Sequence, residues 1–300
     1  MERRFAPWAI VMLLFAAASA EVSAGSLASY WGQSGNEGTL ASACASGHYD
    51  ILMLAFLNVF GNGKTPSLNL AGHCDPSSGQ CRKLASEVQT CQKKKVKVIL
   101  SLGGGSSGYG LKSSQDAKNV AHYLWKNFFG GSSASSPLGA VKLDGIDLDV
   151  EGGNGKSYYD DLITTLKSLA KNYGKKLYIT AAPQCPFPDA HLGPGDHTAL
   201  SAGVDMVFVQ FYNNYCQYQG GLDQLVSTWK KWTRSLPHAK VFLGLPAAPG
   251  AAGNGYVAPK TLTKRILPKI KTASNYGGVM LWSVYWDRKN NYSAKIKGSV

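Results

Sequence analysis

Leu143-Asp144-Gly145-Ile146-Asp147-Leu148-Asp149-Val150-Glu151 sets four carboxylates in an apolar frame. From Asp147 onward acidic and apolar residues alternate. A period of two belongs to a β-strand, so Asp147, Asp149 and Glu151 project from one face and Leu148 and Val150 from the other. Successive side chains on one face stand about 6–7 Å apart. Three like charges at that spacing in a partly buried place do not all ionise, so at least one proton is retained or shared. An acid that stays protonated near neutral pH is what acid–base catalysis needs. Two plainer readings compete. Asp147-x-Asp149-x-Glu151-Gly152 imitates the start of an EF-hand, but the twelfth position is Tyr158 where a bidentate Glu belongs. A solvated acidic edge strand is also compatible with the pattern.

Outward from this strand the chain repeats strand-like apolar runs, at 26–33, 51–60, 96–102, 145–151, 177–183, 204–212, 241–245 and 278–284. Several are continuous, such as Ile51-Leu52-Met53-Leu54-Ala55-Phe56-Leu57, as parallel strands buried on both faces are. Helical spacing lies between them. Leu84, Val88 and Cys91 form one stripe; Val120, Ala121, Leu124, Trp125 and Phe128 form another. Ser157 is placed to cap a helix carrying Leu162, Leu166 and Leu169 that stops at Gly174. Leu222, Leu225, Val226 and Trp229 mark a further helix, and Pro268 interrupts the pattern of 262–270. Eight strands alternating with helices predict an α/β fold, the single-domain (β/α)8 TIM barrel. Polar and aromatic residues gather where the strands end, namely Gln33, Asn58, Gly103-Gly104-Gly105, Glu151, Gln184, Gln210 with Tyr212, and Trp282. Barrel active sites occupy that C-terminal rim.

Residues 1–24 read as a secretory signal peptide: Arg3 and Arg4 precede the apolar run 9–18, with small-residue cleavage sites after Ala20 and Ala24. Residues 25–300 then form the one domain, and no other apolar run is long enough to span a membrane. Cys44, Cys74, Cys81, Cys91, Cys185 and Cys216 are even in number and, in an oxidising compartment, predict three disulfides whose pairing the sequence leaves open. Zinc is the rival reading, but no Cys-x-x-Cys pair exists. The net charge of +13 admits nucleic acid or anionic wall polymers as partners. Its lysines are scattered, however, and Lys93-Lys94-Lys95 fits a helix C-terminus. Gly103-x-Gly105-x-x-Gly108 imitates a dinucleotide fingerprint but follows the third strand, with no acid about 20 residues on; these glycines suit tight turns or close backbone approach. His191 and His197 are loop histidines by context, and Asn291-Tyr292-Ser293 is a glycosylation sequon.

With Asp144-Gly145-Ile146-Asp147-Leu148-Asp149-Val150-Glu151 on the fourth strand, the chain resembles glycoside hydrolase family 18. The likeness narrows to plant class III chitinases of the hevamine type through Tyr30-Trp31-Gly32-Gln33, Ala55-Phe56-Leu57-Asn58, Ser101-Leu102-Gly103-Gly104-Gly105, Ala181-Ala182-Pro183-Gln184-Cys185-Pro186, Gln210-Phe211-Tyr212-Asn213-Asn214 and Met280-Leu281-Trp282-Ser283. It covers residues 25–300. The resemblance implies a retaining endochitinase that cleaves β-1,4 bonds between N-acetylglucosamine units, using the substrate's own acetamide as nucleophile. It implies Glu151 as the general acid and Asp149 as the group that orients the acetamide, with Asp147 behind it and Tyr212 bonded to the acetamide oxygen. Gln210, Trp282, Tyr30, Gly105 and Asn69 are implied as substrate-binding residues. It further implies the disulfides Cys44–Cys91, Cys74–Cys81 and Cys185–Cys216, and cis peptides at Ala55-Phe56 and Trp282-Ser283.

No metal or organic cofactor is implied. The expected partners are chitin or N-acetylglucosamine oligomers, with peptidoglycan as a second target of a basic protein. No nucleic-acid or membrane partner is expected, and the chain is expected to be a monomer. Without a C-terminal extension of the vacuolar kind, an extracellular destination is expected. Two positions depart from the family pattern: Gly152 stands where His is common, and Asn213-Asn214-Tyr215-Cys216 is a shortened segment. The alternative is a catalytically silent relative, a lectin, storage protein or xylanase inhibitor. Such relatives typically replace the catalytic Glu or an active-site Asp, and here all are present.

Overall fold

The structure, a computed structural model, describes residues 24–106, 108–130, 136–152 and 158–300. The expected leader and Ser157 lie outside the described residues. Among the described residues nine strands form: β1 (Ser26–Trp31), β2 (Ile51–Val59), β3 (Ser67–Leu68), β4 (Lys97–Gly104), β5 (Gly145–Val150), β6 (Tyr178–Ala181), β7 (Met206–Gln210), β8 (Lys240–Pro246) and β9 (Tyr276–Trp282). Eight of them, all but β3, are parallel and pair in chain order, and β1 closes the ring by pairing with both β9 and β2. The short β3 pairs antiparallel on β2 and stands outside the ring. The eight expected strands are therefore the eight staves of a (β/α)8 barrel.

Alternation along each strand divides the core in two. Ala28, Met53, Ile99, Phe208, Phe242 and Met280 point inward and fill the barrel. Their neighbours Leu52, Leu54, Ile146, Leu148 and Val150 point outward under the helices. These helices include α1 (Leu40–Ala45), α2 (Leu84–Lys93), α3 (Ser114–Leu124), α4 (Tyr159–Asn172) and α5 (Asp223–Ser235). Leu84, Val88 and Cys91 form the buried face of α2, as their spacing predicts. Near Pro268 the chain breaks into α6 (Pro259–Thr261), a π turn (Leu262–Ile266) and α7 (Leu267–Ile270). Proline has no N–H and clashes with the carbonyl four residues earlier, and the wider turn gives it room. α8 (Val284–Asn290) and α9 (Tyr292–Ile296) follow β9. The β6–β7 connection carries no helix; the Asp189 carboxylate organises it by accepting the backbone N–H groups of Gln184, His191 and Leu192 at 3.0, 2.8 and 2.7 Å.

At the N-terminal end of the barrel an aspartate before one strand accepts a backbone N–H of its neighbour. Asp50 takes Leu27 N–H (2.8 Å), Asp144 takes Val98 N–H (2.7 Å) and Asp205 takes Ile179 N–H (2.8 Å). Asp144 is thereby separated from the three carboxylates that follow it and has a packing role. Asp144→Ala is expected to cost about 1–3 kcal/mol of stability, as the loss of a charged acceptor for a part-buried donor does. Thermal unfolding should register that loss with kcat unchanged. The disulfides are Cys44–Cys91, Cys74–Cys81 and Cys185–Cys216, the pairing implied by the resemblance. The first ties α1 to α2, and the third joins the rim segments after β6 and β7. Both expected cis peptides, Ala55-Phe56 and Trp282-Ser283, are present.

Candidate active site

Strand parity delivers Asp147, Asp149 and Glu151 to the barrel axis at rising heights. Asp147 is fully buried at the lowest level. Its register neighbours on β4 and β6 are Ser101 and Thr180, whose hydroxyls donate to its carboxylate at 2.7 and 2.6 Å. The Tyr30 hydroxyl donates from β1 at 2.9 Å. Burial raises the Asp147 pKa above the usual carboxylate range, against the pull of these three hydroxyls.

Asp149 sits one level higher and is 3% exposed. The Gln210 amide of β7 donates to its Oδ1 at 2.9 Å and to the Ala182 carbonyl at 2.9 Å. Burial pushes its carboxyl well above the ordinary range, the charges of Glu151 and Asp147 push further, and only the Gln210 amide opposes them. Burial raises Glu151 as well, but its hydrogen bonds with Asp149 and Gln210 work in the opposite direction. Both carboxyls are raised and lie in contact, so the two titrate as a pair with a proton held between them.

The backbone under these acids is fixed closely. Gly103 pairs with Asp149 at a φ of +115°, and a Cβ there would lie 2.1 Å from the Asp149 carbonyl oxygen, so only glycine fits. The Tyr109 hydroxyl donates to Gly104 O (2.8 Å) and accepts the N–H groups of Glu151 and Gly152 (3.0 and 3.1 Å). It thus holds the chain just past β5, where the ladder no longer does.

Above the acids opens a cleft of about 240 Å³. Asp149, Glu151, Gln210, Tyr212, Trp282 and Gly105 line it, with Phe56, Gln184, Asn213, Asn214 and Ala251. Trp282 stacks on Phe56 (centroids 6.1 Å apart, planes 19°) and leans on Tyr30 (5.4 Å), giving the cleft an aromatic floor. Burial and the nearby acids raise the Tyr212 phenol well above its usual pKa, so it is a proton donor at any working pH. Six of the expected residues therefore meet in one cleft. Asp147 and Tyr30 lie beneath it, and Tyr30, at 2% exposure, donates its hydroxyl to Asp147. Asn69 does not line this cleft. Its backbone pairs with that of Phe56, and its side chain accepts the Ala71 N–H at 3.0 Å.

Ser101, Thr180 and Tyr109 were not among the expected residues. The first two were detectable as hydroxyls inside otherwise apolar strands; Tyr109 leaves no local signal. Of the two departures, a Cβ on Gly152 would meet none of the described residues within 4 Å, and Tyr215 is 60% exposed. His197 pairs with Asp160 of α4 (3.5 Å). Among the described residues, no group of three or more His, Cys, Asp and Glu side chains is arranged to hold a metal ion.

Residues 26–255 match glycosyl hydrolases family 18. The chain belongs to that family. This family 18 chain is 51% identical to an acidic endochitinase of Arabidopsis thaliana over 282 residues, 93% of this chain and 92% of the relative. Among solved structures it resembles a chitinase from Ipomoea carnea, with a TM-score of 0.87 at 46% identity over 92% of this chain and 100% of the other. It also resembles a xylanase and α-amylase inhibitor protein from Scadoxus multiflorus, with a TM-score of 0.83 at 39% identity over 92% and 99% of the two chains. The fold alone does not separate an enzyme from an inhibitor.

Proposed function

We propose that this family 18 protein is a retaining endochitinase that hydrolyses β-1,4 bonds between N-acetylglucosamine units. The observation that carries the reading is the contact pair Asp149 and Glu151, both raised by burial, in an open cleft lined by Tyr212 and Trp282. A binding protein has no use for a buried acid pair that burial and mutual repulsion make expensive, whereas an acid catalyst depends on it.

The chemistry follows from how a sugar's acetamide would change that pair. Before sugar binds, the two carboxyls share a proton. An acetamide N–H entering the cleft donates to Asp149 and favours its ionised form, which moves the proton to Glu151. Glu151 then faces the glycosidic oxygen as a protonated general acid. As the bond breaks, the acetamide oxygen attacks the anomeric carbon and an oxazolinium ion forms. Tyr212 holds that oxygen in line, and the Asp149 carboxylate balances the developing positive charge. The Glu151 carboxylate next deprotonates a water that opens the ring from the same face, so configuration is retained. Asp147, held by three hydroxyls, adds through its charge to the proton affinity of Asp149.

The test is hydrolysis of a chitin hexamer followed by NMR from the first turnover. The expected first product is the β-anomer. Tight binding of the hexamer with no cleavage would instead establish a binding protein of the inhibitor kind. Three disulfides suit an oxidising compartment, which supports secretion. The +13 charge supports peptidoglycan as a second substrate, acted on by the monomer through the same cleft.

A further inference from the structure

We propose that the groove between α5 and α7, on the outside of the barrel, binds a linear polyuronate, a polysaccharide carrying one carboxylate per sugar. The groove has about 730 Å³ of space and runs along α5, whose 13 residues give it a length of about 20 Å. Lys230, Lys231 and Arg234 of α5 and Lys269 of α7 line it, against one acid, Asp223. All four cations are exposed, and among the described residues none of them is in an ion pair. A second hollow of about 340 Å³ shares Lys230, Arg234 and Lys269, so the cationic channel continues past the end of α5. Arg234 and Lys269 lie in the last turns of their helices, where they also balance the helix dipoles. Two further cations on the same side exceed that need.

Apolar side chains lie among these cations. Phe187, Leu222 and Val226 also line the channel, Leu222 and Val226 preceding Lys230 at four-residue spacing along one face of α5, and Phe187 is propped edge-on against buried Trp232 at 5.0 Å. Cations interspersed with an aromatic ring and aliphatic side chains match a sugar acid, which presents both a carboxylate and a C–H surface. A single-stranded nucleic acid fits less well, because stacking of successive bases calls for several exposed rings and the groove offers one. Relatives of this chain carry the name acidic endochitinase, whereas this chain has a net charge of +13, so its surface is suited to a polyanion. The groove shares no lining residue with the cleft. It adjoins it through one loop, in which Gln184 lines the cleft and Phe187 the groove. A bound polymer would therefore hold the protein on an acidic matrix with the cleft open, raising the effective concentration of any substrate embedded there.

The experiment is binding of the full mature protein to immobilised polygalacturonate. At an ionic strength of about 0.01 M, where charges act over ~30 Å, binding is expected; at about 1 M, where they act over ~3 Å, it should vanish. The triple variant K230E/R234E/K269E is expected to bind about tenfold or more weakly, with chitin-oligomer hydrolysis unchanged. The control K93E/K94E/K118E makes the same change of charge at the C-terminal end of α2 and on α3 and is expected to bind within about twofold of wild type. Equal weakening of both variants would reduce the effect to net charge and overturn the proposal. Absence of wild-type binding, or stronger capture by single-stranded DNA than by polygalacturonate, would overturn it too. Because the readout is binding to a polymer that the cleft does not cut, it stands or falls apart from the chitinase reading.

Discussion

Glu151→Gln is expected to lower kcat on a chitin hexamer by about 10³-fold, within the range of about 10²–10⁴ that general acids contribute. Binding of the hexamer should stay within a few fold, because the amide matches the carboxyl in shape and keeps its contacts with Asp149 and Gln210. The proton is the whole difference between them. Loss of an acid is felt only where the leaving group needs protonating, so an aryl glycoside with an acidic phenol should lose much less rate than the hexamer. Wild-type activity should fall as pH rises through the raised pKa of Glu151, and that alkaline limb should be absent from the variant's aryl-glycoside profile. A variant within tenfold of wild type on the hexamer, or equally impaired on both substrates, would remove Glu151 from the acid role.

The sequence made much of this legible because two periodicities coincide in β5. Alternation told the inward face from the outward one, and the inward acids met polar partners that the same rule places on neighbouring strands. Ser101 and Thr180 lie beside Asp147 by register, and Gln210 reaches Asp149 from the second strand on. Strand ends were less legible. Residues 278–284 were expected as the last strand, whereas β9 spans Tyr276–Trp282. Gly278 reads as a breaker in one dimension, yet a Cβ there would lie 1.9 Å from the Ser26 carbonyl oxygen, so the barrel needs glycine inside that strand. Tyr30 illustrates the other limit. Its motif points to the substrate, whereas its hydrogen bond to Asp147 follows only from the closing of the barrel, which brings β1 round to β5. Tyr109 reaches Glu151 across 42 residues, and the Lys269 wall of the outer groove depends on how α7 settles around Pro268. Neither follows from local pattern, because both are set by packing between elements distant in sequence.

Asp149→Asn is expected to separate activity from stability in opposite directions. Asparagine can accept the Gln210 N–H and donate to Glu151, so it imitates an aspartic acid that carries the shared proton. It can neither pass a proton to Glu151 nor supply negative charge to an oxazolinium ion, and kcat should fall by about 10²–10³-fold, as it does when one stabilising group of a transition state is removed. Stability should move the other way. A carboxyl whose native pKa lies above its unfolded value contributes stability that is full below the unfolded pKa and is lost as pH rises through the native one. Asp149 is such a group, raised first by burial and then by its acidic neighbours. Wild type should therefore lose stability above about pH 3.9, the ordinary aspartate value, on through the raised native pKa, and the variant should lose less. The expected difference is a Tm higher by on the order of a few degrees at neutral pH, shrinking toward zero in acid. Thermal scans across that pH range, paired with hexamer hydrolysis, measure both effects. A Tm that falls together with kcat would mean that Asp149 holds the barrel mouth together, and the shared proton would lose its place in the chemistry.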